Sequence, residues 1–212
     1  MSDIVKIDTL TPDPVSLKQI TRVLVRGGVI GYPTETVYGL GCNATDTNAV
    51  NRIYRLKQRD RGKAMIIIAA DTIQIYDLVA TVPETADRLI DNFWPGPLTI
   101  VFEASLELLQ TDCWFSKTVA VRIPASPFCL ELLKMCGFPI VSTSANRSGQ
   151  SEATTVQQVI DAFGDDVDLY VDGGRTPSNK PSTVVDITQT PARILREGAI
   201  SALKINTVLD IL

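Results

Sequence analysis

The 212-residue chain contains no histidine. That absence removes serine–histidine and cysteine–histidine nucleophile pairs, histidine zinc sites and any imidazole general base. An enzyme built from this sequence works with lysine, arginine, carboxylates, hydroxyls and backbone amides. Cysteine is scarce as well: Cys42, Cys113, Cys129 and Cys136 stand 71, 16 and 7 residues apart, spacings that match no zinc or redox motif. They read as small buried hydrophobes of a reducing compartment. Neither Gly-x-Gly-x-x-Gly nor Gly-x-x-x-x-Gly-Lys-Ser/Thr occurs, so any ATP site is unconventional. The longest apolar runs, such as Met65 to Ala70, fall far short of the ~20 residues of a membrane span. Met1 to Lys6 carries no charged-then-apolar leader. A soluble cytoplasmic protein is the expectation.

What is present is an ordinary globular composition, 45% hydrophobic and 21% charged with a net charge of −4. Short apolar runs alternate with amphipathic segments. Helices are predicted over Ser16 to Arg26, with Ser16 as the cap; from Asp46; over Asp71 to Leu78; and from Pro83, as first helical residue, to Phe93. Two more follow at Pro127 to Met135 and Val156 to Phe163. Strands are predicted at Val29 to Tyr32, Met65 to Ala70, Leu98 to Phe102, Thr118 to Arg122 and Pro139 to Thr143. Three more fall at Leu169 to Val171, Thr183 to Ile187 and Arg193 to Leu195. Ile205 to Leu212 is too short for a second domain. The pattern predicts one α/β domain over residues 1–212, a twisted mixed sheet with flanking helices.

Four constellations carry possible chemistry. In Tyr32-Pro33-Thr34-Glu35-Thr36-Val37-Tyr38-Gly39-Leu40-Gly41 a strand stops at proline and runs into threonines and glycines. Ligands of open α/β sheets sit off strand ends in such turns, although a plain strand-to-loop turn fits the spacing too. Between residues 52 and 63 stand Arg52, Arg55, Lys57, Arg59, Arg61 and Lys63 against one acid, Asp60. Such a basic knot in an acidic chain reads as an anion site, with helix-end cations serving the macrodipole as the alternative. Val141 to Gly149 is a strand entering a hydroxyl- and amide-rich turn, with Ser142 and Ser144 on one side of it; a capped turn reads equally from it. Ser182 to Asp186 and Leu195 to Gly198 are weaker, polar strand ends.

The order of these pieces resembles a known family. Pro33-Thr34-Glu35-Thr36-Val37-Tyr38-Gly39-Leu40-Gly41, Lys57-Gln58-Arg59, Trp94-Pro95-Gly96-Pro97-Leu98-Thr99, Val121-Arg122-Ile123-Pro124, Ser144-Ala145-Asn146, Ser182-Thr183-Val184-Val185-Asp186 and Leu195-Arg196-Glu197-Gly198 follow one another. Together they are similar to the YrdC-like threonylcarbamoyl-adenylate synthases of tRNA modification, over roughly residues 10–200. Longer relatives carry a further C-terminal domain.

The resemblance implies a concave, positively lined cavity. It also implies a reaction of L-threonine, bicarbonate and ATP giving threonylcarbamoyl-adenylate and pyrophosphate, with Mg2+ accompanying ATP. Partner proteins then move the group to the adenosine beside the tRNA anticodon. Carried over by motif, Lys57 and Arg59 are the expected catalytic pair on the ATP phosphates, with Arg61 as a third contact. Thr118, Ser144, Asn146 and Arg196 are expected to line the nucleotide. Thr34, Arg122, Ser142 and Ser182 are expected to surround threonine, with Arg122 on its carboxylate. The sequence departs from the family at Asp60 and at Ala64-Met65, where prolines are frequent. Two other readings share the fold: a paralogue that binds tRNA or double-stranded RNA in ribosome maturation, and a carbamoyl-transfer module like that of hydrogenase-maturation proteins. Net charge −4 and the lack of interleaved aromatic and basic residues count against the RNA reading.

Overall fold

The computed structural model describes residues 2–60, 65–110, 117–147 and 149–210. The elements run β1 (Asp3–Lys6), α1 (Pro14–Val25), β2 (Ile30–Tyr32), β3 (Gly39–Asn43), α2 (Thr47–Lys57), β4 (Ile66–Ile68), α3 (Thr72–Tyr76), α4 (Glu84–Phe93) and β5 (Leu98–Glu103). They continue as α5 (Leu106–Gln110), β6 (Thr118–Arg122), α6 (Pro127–Cys136), β7 (Ile140–Ser144), α7 (Val156–Phe163), β8 (Leu169–Asp172), β9 (Thr183–Asp186), β10 (Arg193–Arg196) and α8 (Ala202–Leu209).

The strands form a single mixed sheet in the order β1-β8-β2-β3-β7-β4-β6-β5-β9-β10. Four pairs are parallel (β1 with β8, β8 with β2, β4 with β6, β5 with β9) and the other five are antiparallel. The expected α/β architecture with a mixed sheet is therefore the observed one.

Alternation along the central strands sends side chains to two different places. Leu40 and Cys42 of β3, Ile67 of β4, Val121 of β6 and Val141 of β7 join the larger core, where Val50 and Ile53 of α2 and Val159 of α7 cover the sheet. The opposite face is covered at one end by α1 and α6: Leu17, Ile20, Leu24, Phe128 and Leu132 pack on Ile30, Tyr32, Leu169 and Val171. Beyond Phe128, among the described residues, no helix contributes to the lining on this second face, and there the central strands form the floor of a cavity.

Several local details differ from the sequence reading. α1 begins at Pro14, and its cap is Asp13, whose carboxylate accepts from the Val15 and Ser16 amides at 3.1 and 2.9 Å. Ser16 is helical: Pro14 suits the first helical position, so the nearer acid takes the cap. Pro83 is itself the cap of α4, which starts at Glu84. Gly39 to Asn43 is a strand, paired on both sides, and not the loop its glycines suggest. β1 and α8 are further elements that the sequence pattern did not mark. α8 docks on α4, where Arg88 donates to the Val208 carbonyl and to Asp210. Cys42 and Cys129 are buried free thiols; Cys113 lies outside the described residues.

Candidate functional site

The cavity has a volume of about 90 Å³ and is open to solvent on one side. Gly39 (β3), Ser142 and Ser144 (β7), and Ile66 and Ile68 (β4) lie along the floor. Thr34, Arg59, Arg122, Ser182 and Arg196 stand around it. Among the described residues the lining contains three arginines and no carboxylate.

Each cation arrives by its own device. α2 is capped by Asp46 through the Asn48 and Ala49 amides and stops at Gln58, which sits in the left-handed region at φ 49°. That reversal brings the Arg59 amide back to the Tyr54 carbonyl at 3.0 Å and sends the chain toward the cavity.

Lys57, the last helical residue, is buried to 4% exposure. Its ammonium donates to the Ser144 carbonyl, the Asn146 carbonyl (2.9 Å) and Asn146 Oδ1 (3.4 Å). All three hydrogens of an ammonium group are thereby used. Ser144 Oγ donates to Asn146 Oδ1 at 2.6 Å, and Asn146 Nδ2 donates to the Gln150 carbonyl at 2.5 Å, so the turn after β7 is one network around Lys57. Burial, then the charge of Arg59, pushes the Lys57 pKa down to about 8 against an opposing pull from Glu152. Burial also lowers Arg59 and Arg196 from the usual arginine range.

Arg122 ends β6 at 6% exposure. It donates from Nε to the Gly96 carbonyl (3.0 Å), from Nη1 to Thr36 Oγ1 (3.3 Å) and from Nη2 to Glu35 Oε1 (2.5 Å). Glu35 Oε1 also accepts from the Ala125 amide at 2.8 Å. Arg122, expected on the threonine carboxylate, already has an acid of the protein as a partner, and two of its five N–H groups remain for a ligand. Arg196 donates from Nε and Nη2 to the Ser182 carbonyl and from Nη2 to Ser182 Oγ, tying β10 to the start of β9. Ser182 Oγ also shares a 2.9 Å hydrogen bond with Thr99 Oγ1.

The hydroxyls differ in what they offer. Thr34 Oγ1 donates to the Val37 carbonyl (2.7 Å) and accepts from the Thr36 amide (3.1 Å). Its proton is spent inside its own turn, so Thr34 borders the cavity without presenting a donor. Ser142 Oγ accepts from the Tyr32 hydroxyl at 2.7 Å.

Of the residues picked from sequence, the structure brings Thr34, Arg59, Arg122, Ser142, Ser144, Ser182 and Arg196 to one cavity, with Lys57 and Asn146 directly behind Ser144. Thr118 is not among the lining residues. It starts β6, opposite Glu103, four residues and so about 13 Å of strand from Arg122. Arg61 and Lys63 lie outside the described residues. The basic knot also divides: Arg52 turns away to Asp168 (2.5 Å) and the Asp166 carbonyl (2.6 Å), and Arg55 is exposed.

Sequence reasoning left out the roles of Glu35, Thr36, Tyr32, Thr99 and Glu152. The first three stand inside a motif singled out for its threonines and glycines, but their partners are 86 to 110 residues away. Among the described residues no group of three histidines, cysteines or carboxylates is placed to hold a metal ion. None of the described helices is long and apolar enough to cross a membrane.

The fold is that of a mixed-sheet α/β domain, with a cavity that has arginine walls and a hydroxyl-bearing floor. Comparison places the chain more closely. The family model for Sua5/YciO/YrdC, described as "Telomere recombination", matches residues 22–198, and the chain belongs to that family. It is 39% identical over 183 residues to a threonylcarbamoyl-AMP synthase of Pyrococcus abyssi, covering 86% of this chain and 54% of that protein. A Vibrio vulnificus protein of the same name is 37% identical over 185 residues, covering 86% of this chain and 98% of the relative. Among solved structures, P. abyssi Sua5 complexed with L-threonine superposes with a TM-score of 0.92 at 35% identity, covering 98% of this chain and 61% of that one. Escherichia coli YciO does so with a TM-score of 0.85 at 31% identity, covering 97% and 99%. The chain thus spans little more than half the length of the P. abyssi relative.

Proposed function

We propose that the protein joins L-threonine, bicarbonate and ATP into threonylcarbamoyl-adenylate, releasing pyrophosphate. The observation that carries the reading is the cavity itself: Arg59, Arg122 and Arg196 around a floor of Ser142 and Ser144. The names of the relatives and the threonine complex of P. abyssi Sua5 support it.

The chemistry suits a site without histidine. The threonine amine and bicarbonate combine to a carbamate with loss of water. A carbamate oxygen, already anionic, then attacks the α-phosphorus of ATP, and the bond to the β-phosphate breaks as pyrophosphate leaves. No strong base is needed for the attacking oxygen; the requirement is positive charge where charge builds on phosphate.

Arg59 and Arg196 are the direct partners of the triphosphate. Lys57 holds the Ser144–Asn146 turn against the nucleotide and adds its charge. Arg122, steadied by Glu35, offers its remaining hydrogens to threonine beside Ser142 and Ser182. Mg2+ would accompany ATP and would neutralise charge on its phosphates; among the described lining residues no carboxylate is placed to hold it, so phosphate oxygens and water would be its ligands. The product is then a substrate for proteins that pass the threonylcarbamoyl group to tRNA.

The test is pyrophosphate release from ATP and Mg2+ with each substrate left out in turn. Release that needs both threonine and bicarbonate is expected. Release driven by carbamoyl phosphate without threonine, or none under any condition, overturns the reading.

A further inference from the structure

The sheet register raises a question about Gly39 and Gly41. Tyr32 of β2 stands opposite Gly39 of β3, and Gly41 stands opposite Ser142 of β7. β3 therefore lies between Tyr32 and Ser142, yet the tyrosine hydroxyl reaches Ser142 Oγ at 2.7 Å. It does so by laying its ring across β3. A Cβ at position 41 would sit 2.7 Å from Tyr32 Cε1, and one at position 39 would sit 3.4 Å from the same atom. The alternation Gly39-Leu40-Gly41 thus clears a path for one side chain. The ring itself is fixed: it is fully buried and packs on Phe128 at 6.5 Å between centroids, tilted by 59°. Burial, foremost, keeps the phenol protonated far above its ordinary pKa, so it is a donor at every working pH.

We infer that Tyr32 is a positioning residue for the amino-acid substrate: by donating to Ser142 Oγ it leaves the serine's own hydrogen to point into the cavity, where Ser142 donates to an acceptor oxygen of that substrate. A serine hydroxyl has one hydrogen and rotates to suit its surroundings. Among the described residues no acceptor takes that hydrogen, and the one neighbour that approaches Oγ comes as a donor. The inference rests on the threonine reading above and adds to it a fixed polarity at one hydroxyl.

The experiment is a double-mutant cycle read by calorimetric titration of L-threonine and, separately, of a non-hydrolysable ATP analogue. Tyr32→Phe keeps the ring and removes only the O–H. It is expected to weaken threonine about threefold to tenfold, the worth of one hydrogen bond, with affinity for the ATP analogue unchanged. In a Ser142→Ala background the same change is expected to cost threonine less than about twofold, since there is no hydroxyl left to orient. Gly41→Ala, which drives a methyl into the Tyr32 ring, is expected to reproduce the loss and decides the matter if Tyr32→Phe does not fold. Equal losses in both backgrounds, or a parallel loss of ATP-analogue affinity, overturn the inference while leaving the proposed reaction standing. A wild-type protein that binds no threonine overturns the proposed reaction, and this inference with it.

Discussion

Lys57 is a cation whose burial works against its charge. Its lowered pKa, about 8, lies below the usual lysine value near 10.4, so between those pH values the unfolded chain holds more protons than the folded one. Folding stability from this group therefore rises as pH climbs through about 8. Ligand binding runs the other way: the neutral amine loses one donor to the Ser144–Asn146 turn and the charge facing phosphate. Affinity for an ATP analogue is expected to fall as pH passes about 8, and Lys57→Arg is expected to flatten that fall. A titration series from pH 7 to pH 9.5 checks it. Glu35 poses the converse case. Replacing it with alanine strands Arg122 at 7% side-chain exposure without its acid and removes the Ala125 amide's partner. The expected cost is about 3–5 kcal/mol, measured by urea unfolding. Arg122→Ala consequently damages fold and site together, whereas the Ser142 and Tyr32 substitutions are the cleaner probes of threonine.

Among the elements, the end of α2 concentrates consequence in one residue. Gln58 occupies a left-handed conformation that costs a β-branched residue most. Gln58→Val is expected to destabilise the protein by about 1–2 kcal/mol and to weaken the ATP analogue by misdirecting Arg59, while Gln58→Gly does neither. Thermal melting and titration of the three proteins decide it. This turn was only half legible in the sequence: Lys57-Gln58-Arg59 marked the place, but nothing local says that a glutamine takes the conformation glycine usually takes. β3 escaped for a related reason. Glycine is depleted in strands, so Gly39 and Gly41 signalled a turn, although they serve a side chain from a neighbouring strand. α2, β5, β6, α6 and α7 were legible because their apolar periods, caps and terminal glycines are local facts. The partnerships of Arg52 with Asp168 and of Arg122 with Glu35 span 116 and 87 residues, and no local pattern carries them.

Across the whole molecule, charge is distributed unevenly: a chain of net −4 places Arg59, Arg122 and Arg196 around one cavity, with Glu35 paired to Arg122. Binding is expected to be local and ionic. Affinity for the ATP analogue should fall as salt is raised, since partly exposed charges are screened over about 8–10 Å. RNA should bind weakly even in low salt, because a nucleic-acid backbone needs many phosphate contacts at once. Filter binding with tRNA and double-stranded RNA at two salt concentrations tests this, and RNA retention with no ATP-analogue binding would favour the paralogue reading. A saturating ligand at a hundred times its Kd should also raise unfolding stability by about 2.7 kcal/mol.

The cavity is closed on one side by Ser182 and Arg196, while its floor comes from residues no later than Ser144. On the ribosome, protein is made from one end, so the floor strands emerge before the hairpin of β9 and β10 that completes the wall. An unfinished chain has the cup without its rim. If the proposed reaction holds, a chain still lacking Ser182 and Arg196 is expected to hold nucleotide less tightly than the finished one, because two residues of the wall are missing.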